Sequence, residues 1–143
     1  MLSNMPSHLF RLLAVPLIVL SLGGSASAQL ACNAPQKAQQ VVDLLFGRKI
    51  GDRIAVTEAQ WARFVDREIT PRFPDGLTVF NAYGQWRDPE RNRIVREPSK
   101  VVTIVLPGKP EDGDRLIEII EAYKKRFKQQ SVGMVLRPAC VSF

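Results

Sequence analysis

The sequence predicts an α+β domain, a ferredoxin-like βαββαβ sandwich with a four-stranded antiparallel sheet and two helices on one face. Three observations lead there. Four apolar, β-rich runs alternate with two segments of helical periodicity in the order β-α-β-β-α-β. The two central runs are separated only by Asp88-Pro89-Glu90-Arg91-Asn92, which is hairpin-turn chemistry. Cys32 precedes the first run and Cys140 lies near the end of the last, and this topology makes those two strands antiparallel neighbours.

The elements follow in order. Residues 39–46 form an apolar run closed by Gly47 and read as a buried strand, with a helix as the alternative. Residues 47–54 read as a charged turn. Thr57-Glu58-Ala59-Gln60 is a capping box, and Val56 and Trp61 stand where a hydrophobic staple would. Trp61, Phe64 and Val65 share one helical face, and the helix must end before Pro71, because the residue before proline is pushed out of α space. Residues 77–86 read as a strand with a bulge at Tyr83-Gly84. Residues 94–106 form its return strand, in which Pro98 should mark an edge or a bulge. A second helix spans about 114–129, with Leu116, Ile119, Ile120, Tyr123 and Phe127 as its buried stripe and a charge distribution that matches the helix dipole. Residues 132–136 and 140–143 give a last strand interrupted near Pro138.

The first 28 residues read as a cleavable signal peptide. One cation, Arg11, precedes an apolar run of 12–22, and Ala26-Ser27-Ala28 supplies small residues at a cleavage site. The run is too short to span a membrane as a helix. Residues 29–143 then form a single domain, periplasmic or secreted, with no transmembrane segment after cleavage. Lipid anchoring at Cys32 ranks below this reading, because Gln29 stands where a lipoprotein box wants an apolar residue. In an oxidising compartment Cys32 and Cys140 are expected to pair; there is no C-x-x-C to argue for redox catalysis.

Composition excludes several chemistries. The chain carries a net charge of +6, which favours anionic ligands or surfaces without fixing one. Its one histidine, His8, lies in the signal segment. The mature chain therefore cannot build a Ser-His-Asp or Cys-His triad, and two cysteines do not make a zinc site. No metal and no cofactor are expected, and no nucleic-acid motif occurs.

The ordered segments Thr70-Pro71-Arg72-Phe73-Pro74-Asp75-Gly76-Leu77-Thr78, Gly84-Gln85-Trp86-Arg87, Arg96-Glu97-Pro98-Ser99-Lys100, Tyr123-Lys124 with Phe127, and Gln130-Ser131-Val132 resemble a bacterial family known as domain of unknown function 3574. The resemblance runs from residue 44 to 143. It implies an exported or lipid-anchored protein and supplies no reaction.

On the expected fold, one end of the sheet gathers residues 47–56, the hairpin 87–100 and the junction 129–131. That end is rich in cations, including Arg48, Lys49, Arg53, Arg91, Arg93 and Lys128. Arginines there can clamp a carboxylate or phosphate, and a solvated, salt-bridged end is the competing reading. Ligand-binding candidates are Arg72, Asp75, Trp86, Arg96 and Lys100. Catalytic candidates are Glu97, Arg96, Arg72 and Tyr123, with Glu97 paired to Arg72 or Arg96 as the structural alternative. Ser99 and Lys100 are adjacent on a strand and point to opposite faces, which argues against a dyad. Phe80 and Trp86, or their alternates, should project from the face without helices.

The leading functional expectation is a small exported binding domain for an anionic or aromatic ligand, forming a sheet-to-sheet homodimer or contacting an envelope component. The alternatives are a cofactor-independent enzyme of the dimeric α+β barrel type and a structural envelope or assembly protein.

Overall fold

The computed structural model describes residues 31–50 and 53–143. The expected signal peptide, with its cleavage site and His8, lies outside the described residues. The chain runs β1 (Lys37–Gly47), a short ribbon of β2 (Lys49–Ile50) and β3 (Arg53–Ile54), α1 (Glu58–Phe64) continued by a π-helical turn (Val65–Ile69), β4 (Thr78–Asp88), β5 (Arg93–Val105), α2 (Asp112–Phe127) and β6 (Gly133–Val141). It is an α+β fold with a four-stranded sheet of order β4-β5-β1-β6, every neighbouring pair antiparallel.

The two-residue period of the strands divides the sheet into a covered and an open face. On β1, Val42, Leu44 and Phe46 are fully buried, and across the ladder Val102 and Ile104 of β5 join them. Trp61 and Phe64 from α1 and Leu116, Ile119, Tyr123 and Phe127 from α2 complete the same core. Phe46 is its hub: its ring lies edge-on to Tyr123 at 4.7 Å and to Trp61 at 5.1 Å. Burial of each such side chain contributes about 1.5–3 kcal/mol, so the covered face carries most of the stability.

The local signals hold at several points. Thr57 and Gln60 form the reciprocal capping box, and Val56 and Trp61 are both buried beside it. The turn between β4 and β5 is held by Asp88, whose carboxylate accepts from the amides of Glu90 (2.9 Å) and Arg91 (3.2 Å). Cys32 and Cys140 are disulfide-bonded with their Cα atoms 5.5 Å apart, across 108 residues of sequence.

Other expectations change. No bulge occurs at Tyr83-Gly84: Tyr83 pairs with Pro98 and Gly84 with Glu97 in an unbroken register. A Cβ at Gly84 would lie 2.9 Å from Ser99 Oγ, so the glycine leaves room for that hydroxyl. Pro98 does mark a local edge, because β1 pairs with β5 only as far as Gly47 and Ser99. β6 is not interrupted at Pro138, which pairs with Gln40; an edge strand tolerates proline because some of its N–H positions face away from the sheet. The charged segment after Gly47 contains the β2/β3 ribbon, closed by Arg48, whose guanidinium donates twice to the Val56 carbonyl at 2.8 and 2.6 Å. α1 gives way to the π-helical turn after Phe64, with the Thr70 amide donating to Val65. This wider turn accompanies the burial of both Ile69 and Phe73. α2 begins at Asp112, earlier than expected, because the Asp112 carboxylate accepts from the amides of Gly108 and Lys109 at 2.9 and 2.8 Å. Among the described residues no helix is long and apolar enough to cross a membrane.

Candidate functional site

The open face carries a cavity at the end of the sheet opposite the disulfide. Strand alternation places Leu45 and Gly47 of β1, Gly84 and Trp86 of β4, Glu97 and Ser99 of β5, and Gly133 of β6 on this face. Together with Gln85 and residues 129–131 they line a cavity of about 270 Å³. Its floor is low because small residues occupy all four strands. A Cβ on Gly133 would press on Leu45 at 3.1 Å, and one on Gly47 would lie 2.7 Å from Glu97 Oε1.

Glu97 is the centre of the arrangement. The Trp86 indole N–H donates to Oε1 at 2.9 Å, and the Lys49 amide donates to Oε2 at 2.8 Å. The carboxylate thus lies over Gly47, with only 6 % of the residue exposed, and it makes no ion pair with any described residue. The β2/β3 ribbon that supplies the Lys49 amide is itself held by Gln129, whose side-chain N–H donates to the Lys49 carbonyl at 3.0 Å. Beneath the sheet, the Tyr123 hydroxyl donates to the Gly47 carbonyl at 2.8 Å. Burial pushes this phenol well above its ordinary value, outweighing the opposing pull of Arg48, so it stays a donor throughout the physiological range.

A second cavity of about 220 Å³ shares Trp86, Glu97, Gln129 and Gln130 with the first and is otherwise lined by Lys49, Ile50, Asp88, Arg91, Val95 and Lys128. The ribbon, the hairpin and the helix-strand junction do meet at one end, as the topology predicts. Three of the cations of this end, Lys49, Arg91 and Lys128, line this smaller cavity. In the larger one Glu97 is the only charged side chain among the described residues.

The residues singled out in the sequence separate. Trp86 and Glu97 share the site. Arg96, next to Glu97, is exposed and projects to the other side of β5. Glu97 pairs with neither Arg72 nor Arg96. Arg72 instead bonds Glu118 of α2 at 2.9 Å and the Glu68 carboxylate at 3.0 Å, bracing the segment after α1 against α2. Asp75 sits in the exposed turn before Gly76 (φ +143°) and lines a different cavity, of about 330 Å³, with Thr78 and Phe143. Lys100 is buried on the helix-covered side, bonded to Glu58 at 2.7 Å and Asn81 at 2.5 Å. Tyr123 belongs to the core. The four catalytic candidates Glu97, Arg96, Arg72 and Tyr123 therefore share no cavity.

Two carboxylates away from the site set the expected acid response. Hydrogen bonding to Lys100, with added pull from Arg48, holds Glu58 below its ordinary 4.5. On the open face, hydrogen bonding to Arg137 and Thr103 holds Asp43 below its ordinary 3.8. Both groups are depressed on folding. Their stabilisation is therefore complete above the unfolded values and is lost as pH falls from about 4.5 through the folded values. Acid titration of unfolding should show this loss, and E58Q with D43N should make the titration shallower; an unchanged slope would contradict these pairings.

Of the lining residues only Trp86 and Glu97 were among the sequence-based site candidates; the glycines of the floor, Gly47, Gly84 and Gly133, and Leu45 were not. Glycine on neighbouring strands is the signal for an open floor. Reading it needs the register, which sets Gly84 opposite Glu97 and Gly47 opposite Ser99.

Comparison with known proteins adds the following. The family model described as Protein of unknown function (DUF3574) matches residues 41–143. No curated protein matches the chain. Among solved structures, a phage SAM lyase in complex with S-methyl-5'-thioadenosine is similar with a TM-score of 0.59 and 16% identity, over 82% of this chain and 97% of that one. The apo state of phage SAM lyase gives 0.51 and 16%, over 73% and 86%. CutA from Synechococcus elongatus gives 0.47 and 8%, over 73% and 80%. At these identities the likeness to the lyase is one of fold.

Proposed function

We propose that this chain, which belongs to the DUF3574 family over residues 41–143, is an exported binding domain whose small ligand occupies the open-face cavity beside Trp86 and Glu97. The observation that carries the reading is the Glu97 carboxylate, oriented by two N–H donors in a glycine-floored hollow and without an ion pair among the described residues. A side chain held this way is preorganised toward whatever enters. Of the anionic and aromatic ligands the sequence suggests, a flat or apolar body suits a wall made of Trp86 and Leu45. An anionic group fits only the smaller cavity, against Lys49, Arg91 and Lys128.

The β-α-β-β-α-β order supports a ferredoxin-like sandwich. A structure of similar fold is described with a small molecule, S-methyl-5'-thioadenosine, bound, which supports a ligand-binding role. Export rests on the signal sequence together with the Cys32–Cys140 bond, which leaves no thiol at Cys32 for a lipid. Exposed Leu45, Phe80 and Val135 on the open face support a sheet-to-sheet homodimer beside the cavity.

The test is a fragment screen by thermal shift on the wild-type protein and on Ser99→Phe, which fills the cavity from its floor. A fragment at ten times its Kd adds about 1.4 kcal/mol and raises Tm by a few degrees. Wild type should respond to at least one fragment and Ser99→Phe to none of those; equal responses would place the ligand elsewhere.

A further inference from the structure

Resting on that reading, we infer that the ligand of the open-face cavity is a cation, a protonated amine or comparable onium group carried on a flat or apolar body. Three features of the cavity carry this. First, Glu97 is more than nine-tenths buried, faces the cavity, and has no ion pair among the described residues. A desolvated carboxylate without a counter-charge is costly, and a ligand cation offsets that cost directly.

Second, hydrogen-bonding capacity is left over. Among the described residues Oε1 accepts only from Trp86 and Oε2 only from the Lys49 amide, so each oxygen keeps a lone pair for a further donor. Third, Trp86 forms a wall of the same cavity, and an indole is the best aromatic neighbour for a cation. Lys49, Arg91 and Lys128 line the adjoining cavity, which shares Trp86 and Glu97 with the larger one, and none of the three forms an ion pair with Glu97. The remaining lining side chains of the larger cavity are neutral, among them Gln85, Ser99, Gln129 and Gln130.

The test uses three probes of one shape: phenethylamine, 2-phenylethanol and 3-phenylpropionate. Each is titrated into the disulfide-intact wild-type protein at neutral pH and low salt. Calorimetry gives affinity, and the amide spectrum gives location. Phenethylamine should bind about tenfold more tightly than the alcohol, as expected for one charge-assisted hydrogen bond, and the propionate should bind weakest. Glu97→Gln should bring amine and alcohol to equal affinity. The wild-type series decides the matter even if that variant fails to fold. Equal affinity of amine and alcohol for wild type, or tightest binding by the propionate, would overturn the cation while leaving the cavity as the binding site. If no probe moves the Trp86 indole or Lys49 amide resonance, the cavity itself is not the site, and both readings fall.

Discussion

Replacing both cysteines, C32S with C140S, is expected to lower the unfolding free energy by about 3–5 kcal/mol. The bond closes 108 residues of chain, nearly the whole described domain. Cross-linking so long a loop removes much of the freedom of the unfolded chain, and in the chain-entropy account the benefit grows with loop length. Cys140 faces Ala38 in the register of β1 with β6, so the bond also pins the free end of an edge strand to the segment that leads into the sheet's centre. Urea unfolding of the double variant beside wild type measures the difference. An unchanged midpoint would mean that the β1/β6 pairing alone fixes this edge. Non-reducing peptide mapping of the protein should recover the Cys32–Cys140 peptide directly.

The second large effect is expected at Gly47. An added methyl in Gly47→Ala would lie 2.7–2.8 Å from three atoms of the Glu97 carboxyl group. The backbone cannot retreat easily, because Tyr123 grips the Gly47 carbonyl from the covered side. Glu97 must therefore leave its seat and lose its bonds to Trp86 and Lys49. Hydrogen bonds to a charged group contribute about 1.5–3 kcal/mol each, and part of that is recovered from solvent once the carboxylate swings out. A net loss of about 2–3 kcal/mol is expected, together with loss of ligand binding. The cause is separable: in an E97A background the same substitution should cost almost nothing, since the clash has been removed. A full penalty in that background would show that Gly47 is needed for some other reason.

Most of the fold was legible because its signals are local. The capping box at Thr57, the stripe Leu116-Ile119-Tyr123-Phe127 and the hairpin turn at Asp88 each depend on residues within a few positions of one another, and each formed as read. The disulfide was legible for another reason: it follows from the strand topology together with the oxidising compartment that the signal segment implies. The errors have a common cause. At Gly84 and Pro138 the sequence shows an unusual residue but not what stands opposite it. Gly84 looked like a bulge because the nearby Ser99 was not visible. The Arg72 partner Glu118 likewise lies on another element, out of reach of the linear sequence.

The same limit shaped the reading of the site. Trp86 and Glu97 were both singled out, in different roles, yet nothing in the linear sequence joins them. Only the register of β4 with β5 lays the indole beside the carboxylate. The positive net charge pointed toward an anion. Folding then moved the cations into the smaller cavity, or into pairs such as Lys100 with Glu58, and left the larger cavity with a lone carboxylate. Net charge describes a surface as a whole and says little about one hollow in it.

The two indole N–H resonances of the protein offer the most direct test of the open-face cavity as the binding site. Trp61 is buried in the core, and Trp86 bonds Glu97 at the cavity wall. In an amide and indole spectrum recorded during titration with a fragment that raises Tm, the Trp86 indole and the Lys49 amide should shift together and saturably while Trp61 stays fixed. Movement of resonances elsewhere, around Asp75 and Phe143 for example, with Trp86 and Lys49 unmoved, would contradict the site.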